Sequence, residues 1–271
     1  MVATALTDWN DAIDAALEVG ESLRAAALAQ VILKRLPRHL PTYQRLLVAA
    51  WQLKRWDEGE DWGRRLLRAD PLNGLAWRAL ATAAEQRSQR AQAHATWQRA
   101  FETDPYAPEV RAGISRTALG GGELGGDRLA AGLPAPLALN AAALARLALR
   151  GYRWARAATL YRQLIEADAR RIDFQVGLLM AIWQLRARDE AYRLARSLVD
   201  EHPYLLLAWV VLDELGDVND RALARNPIQS MDPNGELARV WLGLPHAPRT
   251  AELTVTPDEA ALLDVDSNAP T

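Results

Sequence analysis

Pro37, Pro71 and Pro105 stand 34 residues apart, and Pro203 falls 34 after Ala169, which continues the series. A period of this size constrains the chain more than any single motif. A unit so short cannot bury an apolar face alone, so it must stack on neighbours that repeat it. Alignment on these positions brings out further columns. Trp9, Tyr43, Trp77 and Trp209 share an aromatic column. Ala25, Gly59, Ala93, Ala157 and Ala191 share one that is always small. Ala29, Gly63, Trp97, Tyr161 and Ala195 form a third, and Ile32, Leu66, Ala100, Leu164 and Leu198 a fourth.

Each unit reads as two helices. In residues 74–107, Trp77, Leu80 and Ala84 lie on one helical stripe, and Ala93, Trp97 and Ala100 on another. Asp104 and Pro105 end the second helix, because proline lacks an N–H and its predecessor avoids the helical region. The small column lets two helices approach closely, and the aromatic columns fill the space beside it.

This pattern resembles the tetratricopeptide repeat family. The best unit is 74–107, with Trp77, Leu80, Ala81, Ala93, Trp97, Ala100 and Pro105 at the family's signature places. Units are read at 6–39, 40–73, 74–107, a degenerate 108–137, 138–171 and 172–205, followed by a cap over 206–245. The resemblance implies an all-α fold: a right-handed superhelical solenoid of antiparallel helix pairs over residues 1–245. Trp241, Leu237 and Leu242 are expected to cover its last apolar face. Residues 246–271 form an acidic tail, expected to be largely flexible, in which Thr256-Pro257-Asp258-Glu259 has the form of a capping box starting a short helix.

The run "TALGGGELGGDRLAAG", residues 117–132, satisfies G-x-G-x-x-G at Gly120, Gly122 and Gly125. A dinucleotide site needs a strand before that run and a βαβ unit around it. Here a first helix precedes it, so the glycines read as the hairpin turn of the degenerate unit, the expected weak link of the stack. "DVDSNAPT" begins like a calcium loop, but Ala269 stands where glycine is required. The absence of cysteine removes thiolate catalysis and disulfides. His39, His94, His202 and His246 are scattered, with His39 and His202 read as ordinary surface residues near turns.

The net charge of −2 supplies no general attraction to nucleic acid. The N-terminus does not read as a secretory signal. The longest apolar run, Tyr204 to Leu212, falls short of the ~20 residues a membrane span needs. The expectation is a cytoplasmic protein that is not an enzyme, takes no cofactor or metal, and binds a protein or peptide partner.

In the family, first helices line a concave groove. Carried onto this chain, the groove places give Gln44, Val48, Trp51, Arg78, Arg116, Arg146, Arg150, Met180 and Trp183, together with the acids Glu85, Glu109 and Asp173. Trp51 is read as a partner anchor and Trp97 as structural. Asn10 and Asp14 fall where some members clamp a terminal carboxylate, and Asp14 has the wrong charge for that. The groove's arginines favour an extended acidic segment, and the chain's own tail has that character. Alternative readings are the adaptor region of a larger regulatory or enzyme-linked protein, or a structural assembly subunit.

Overall fold

The computed structural model describes residues 1–118, 138–245 and 250–263. Among these residues the chain is built from helix pairs: α1 (Leu6–Glu18) with α2 (Ser22–Arg35), α3 (Leu40–Gln52) with α4 (Trp56–Ala69), and α5 (Gly74–Gln86) with α6 (Arg90–Thr103). After α7 (Pro108–Thr117) come α8 (Ala141–Arg150) with α9 (Trp154–Ala167), and α10 (Ile172–Gln184) with α11 (Arg188–Glu201). The series continues with α12 (Leu206–Leu215) and α13 (Val218–Met231) and ends in the short α14 (Ala238–Leu242) and α15 (Pro257–Ala260). It is an all-α solenoid of stacked helix pairs. Two short strands, β1 (Val2–Ala5) and β2 (Glu252–Val255), are its only sheet among the described residues.

The repeat holds at the level of single hydrogen bonds. In the first pair, Val19 N donates to Ala15, Gly20 N to Leu17 and Glu21 N to Ala16. The same three bonds recur around Lys54, Ser88, Tyr152 and Arg186. Between units, the aromatic column has a polar purpose. Trp77 Nε1 donates to the carbonyl of Pro71 at 3.0 Å, and Trp209 Nε1 to that of Pro203 at 2.9 Å. Tyr43 Oη does the same to Pro37. The side chain thus fixes the proline turn six residues before it, giving a turn carbonyl its donor.

Packing follows the columns. Ala25, Ala93, Ala157 and Ala191 are buried, as are Trp97 and Tyr161. Each of the two aromatics lies on a glycine of the next first helix to be met: Trp97 on Gly113 and Tyr161 on Gly177.

The stack is irregular at its middle. α6 packs against both α7 and α8. Its C-terminal end also reaches the junction of the fifth and sixth units, where Arg99 meets Asp173 at 3.0 Å and Glu102 meets Arg171 at 2.6 Å. The fifth and sixth units therefore dock directly on α6. The glycine run and the second helix of the fourth unit lie outside the described residues. Residues 206–231, read from sequence as part of an out-of-register cap, form a full helix hairpin, α12 and α13. Leu242 is buried beyond it, with Leu237 and Trp241 half-buried against the same core.

The chain's two ends meet. β1 and β2 pair antiparallel, with Val2 opposite Val255 and Ala5 opposite Glu252. Leu253 and Val255 bury into the core of the first unit, beside Leu6, Trp9, Ile13, Leu28 and Ile32. The Thr256–Glu259 capping box forms with both of its bonds. Glu259 then pairs with Arg35 and, at 3.1 Å, with Lys34. The sequence reading set 246–271 apart as a flexible acidic tail. Its residues 250–263 instead complete the first unit, because Leu253 and Val255 face the same side of a strand and an apolar core lies within reach.

Candidate functional site

The first-helix face carries the residues named from sequence. Gln44 and Val48 are half-buried on α3, and Val48 packs onto the core of the first unit. Trp51 is also half-buried, its ring edge-on to Trp56 with centroids 5.8 Å apart. Met180, on α10, packs against the main core. Much of each side chain is therefore structural, and Trp51 keeps part of its surface for contact with solvent.

The arginines along this face fall into two kinds. Arg78 pairs with Glu109 at 3.5 Å, Arg116 with Glu85 at 2.9 Å and Arg150 with Asp104 at 3.4 Å. Arg116 and Arg150 are about half exposed, at 52% and 54% of the side chain. The exposed Arg150–Asp104 pair contributes only ~0–1 kcal/mol, so a partner's carboxylate can displace Asp104 cheaply, whereas Arg116 grips the mostly buried Glu85 through two bonds, at 3.0 and 2.9 Å. Glu85 does double duty, since its Oε2 also accepts from Trp97 Nε1 at 2.9 Å.

Arg146 is half-buried. Its Nε is buried and makes no hydrogen bond among the described residues, as is true of the Tyr161 hydroxyl. Burial pushes the Asp70 carboxyl above the usual carboxylate range, with Arg146 pulling the other way. Burial likewise raises Tyr161, whose charge Arg146 would favour. Asp173, the third acid of the groove places, is engaged by Arg99 and Arg171.

Two sequence expectations are corrected. His39 is not a surface residue. It is fully buried, with Nδ1 2.7 Å from Thr42 Oγ1. Asp14 does not spoil the face for a carboxylate, because Arg45 covers it with bonds of 2.7 and 2.8 Å and offers its remaining edge to Glu236 at 3.4 Å. Asn10 Nδ2 donates to the other Glu236 oxygen at 2.6 Å. Arg45 lies outside the groove places considered from sequence, and Glu236 lies outside the repeat. Periodicity therefore could not bring them together.

Glu236 is part of a segment that crosses the face. Asp232 opens it, its two oxygens accepting from the backbone N–H of Glu236, Leu237 and Ala238 at 2.7 to 3.2 Å. Arg239 pairs with Glu214 of α12 at 3.0 Å. The carbonyl of Leu242 accepts from Trp183 Nε1 at 2.9 Å and Gln184 Nε2 at 3.3 Å. Beyond the crossing, a pocket of about 410 Å³ is lined by Trp183, Arg186, Glu214, Leu242 and Gly243. Trp183 thus uses its indole on the chain itself.

No protein-family model matches the chain. No curated protein matches it either. Among solved structures it is similar to a tetratricopeptide repeat protein from Parabacteroides merdae, at 12% identity and a TM-score of 0.35 over 87% of this chain and 82% of that one. It is similar to the C-terminal part of a TPR repeat-containing protein from Cytophaga hutchinsonii, at 12% identity and a TM-score of 0.38, covering 86% and 99%. A third likeness is to the APC/C hetero-tetramer Cut9–Hcn1, at 12% identity and a TM-score of 0.35, covering 85% of this chain and 47% of that one.

Proposed function

We propose that this protein is a non-catalytic interaction scaffold that binds a peptide or partner segment along its first-helix face. The observation that carries the reading is the row of guanidinium groups on successive first helices, Arg78, Arg116 and Arg150, of which Arg150 is the most loosely held, half exposed with a single 3.4 Å contact to Asp104. Trp51, on α3, adds a partly exposed apolar anchor. Interface hot spots favour these two residue types, which combine area with directional donors. The partner chemistry that fits is acidic and extended, with apolar residues between the charges. Among the described residues no cluster of three metal-ligating side chains exists, and no helix is long and apolar enough to cross a membrane.

The test compares partners retained from the native host by the wild-type chain and by Arg116→Glu/Arg150→Glu. Arg116 is the two-bond partner of the mostly buried Glu85, so the single variant Arg150→Glu, at a half-exposed and singly bonded residue, is the one expected to keep its thermal midpoint and serves as the folded comparison. The expected result is a set of proteins lost in the variant and lost from the wild type at high salt. Identical sets would overturn the reading.

A further inference from the structure

The first-helix face has a ligand already. Residues 232–244 run from the second unit to the last helix pairs. They touch Asn10 on α1, Arg45 on α3, Trp183 and Gln184 on α10, and Glu214 on α12. All of these positions are on first helices. The segment is bound by the means a foreign peptide would use: a carboxylate on Arg45 and Asn10, a backbone carbonyl on an indole and an amide, and one buried leucine, Leu242. Glu236 and Leu242 stand six residues apart, and between them they join the two ends of the solenoid.

We infer that residues 232–244 act as an intramolecular ligand that closes this end of the face, and that a partner segment carrying an acidic residue followed by an apolar turn displaces them. This rests on the scaffold reading above and names its regulation. The contacts suit exchange. Arg45 keeps its bidentate bond to Asp14 whether or not Glu236 is present, so release of the segment leaves no bare buried guanidinium. The segment's apolar grip is shared between two buried residues, Ala238 and Leu242, and three half-buried ones, Leu237, Trp241 and Leu244, while Val240 stays exposed. Its far side is anchored separately, by Asn234 Oδ1 accepting from Ala251 N at 2.8 Å and by the β1–β2 pairing. The anchor keeps the ligand at a high local concentration. A short tether supplies an effective concentration of order millimolar, so a free competitor must bind well or arrive in quantity.

The experiment uses the full chain with Glu236→Lys, which sets a cation against Arg45, and a labelled peptide with the sequence of residues 232–245 as probe. The expected result is a folded variant that binds the peptide saturably, at least about tenfold more tightly than wild type does, with the affinity falling as salt rises. Adding Arg45→Glu to the variant should abolish that binding. A Glu236→Lys chain that does not fold would show the segment to be an indispensable part of the core and overturn the inference. So would a folded variant that binds no peptide at about 1 mM. In either case, a host partner still retained through Arg116 and Arg150 would leave the scaffold reading standing.

Discussion

Lys54, Ser88, Tyr152 and Arg186 take φ of 57° to 60°, at the place where the first unit has Gly20 at 82°. An L side chain in this region is strained by about 1–2 kcal/mol, while glycine is not. Glycine also loses more chain entropy on folding, roughly 0.5–1 kcal/mol, so the net gain is smaller. Lys54→Gly and Ser88→Gly are each expected to raise stability by up to about 1 kcal/mol, read from the denaturation midpoint. Lower midpoints in both would show these turns to be unstrained. His39 gives a second expectation. Burial, reinforced by the Arg45 charge, lowers its pKa from 6.5 to about 3. The native imidazole stays neutral where the unfolded one has taken a proton, so its contribution is whole above pH 6.5 and is lost as pH falls toward about 3. Asp70, Asp232 and Glu236, whose carboxyls burial raises, act in the opposite sense, and a His39→Gln control separates the two. Between pH 7.5 and 5, wild type should lose about 2 kcal/mol more than the control by chemical denaturation. Equal losses would mean that the buried ring protonates in place.

At the scale of helices, a glycine has opposite meanings in two places. A Cβ on Gly113 would stand 2.3 Å from the Trp97 ring, and one on Gly177 2.3 Å from that of Tyr161. At Gly59 the nearest atom would be Ala50 Cβ at 3.8 Å, an ordinary contact. Alanine in a helix is favoured over glycine by about 1 kcal/mol. Gly59→Ala should show that gain. Gly113→Ala and Gly177→Ala should instead lose stability, since forcing a bulky ring aside costs about 1–3 kcal/mol. Thermal melts of the three variants check the sign, and a gain at Gly113 would mean that the α6–α7 contact is loose. These elements were legible in the sequence because each depends on neighbours at fixed spacing: the proline, small and aromatic columns predict the helix pairs. The bond from the aromatic column to the proline carbonyl was not legible, since spacing shows proximity and not donors. Nor was the docking of α8 on α6, which depends on the path of the stack across a damaged unit. The groove places lie on first helices, with Arg146 half-buried among them, and the Arg45–Glu236 contact was not legible because Glu236 lies outside the repeat.

For the whole molecule, the closing contacts decide how far the solenoid departs from a one-dimensional stack. In an open array each unit feels only its neighbours, and the ends fray first. Here the first unit is held by β2, by Leu253 and Val255 in its core, and by Glu259 on Arg35 and Lys34. A fully buried Leu or Val contributes about 1.5–3 kcal/mol, so removing both should expose the first unit to opening that costs about 3–6 kcal/mol less. Glu259 adds a pH signature. Its bonds to Arg35, to the Thr256 backbone and to Lys34 hold its pKa near 2, down from 4.5. Its folded pKa is depressed, so its contribution is present above pH 4.5 and fades as the pH falls toward about 2. Deletion of residues 250–271 should therefore speed hydrogen exchange in residues 6–35 and leave residues 74–103 protected as before. Glu259→Gln should show a weaker form of the same pattern at pH 7, and the difference between it and wild type should vanish at low pH. If exchange rises equally in both regions of the truncated chain, the Arg45–Glu236 bridge has tied the two ends into a single cooperative unit, and the closure governs the stability of the whole protein and not of its first repeat alone.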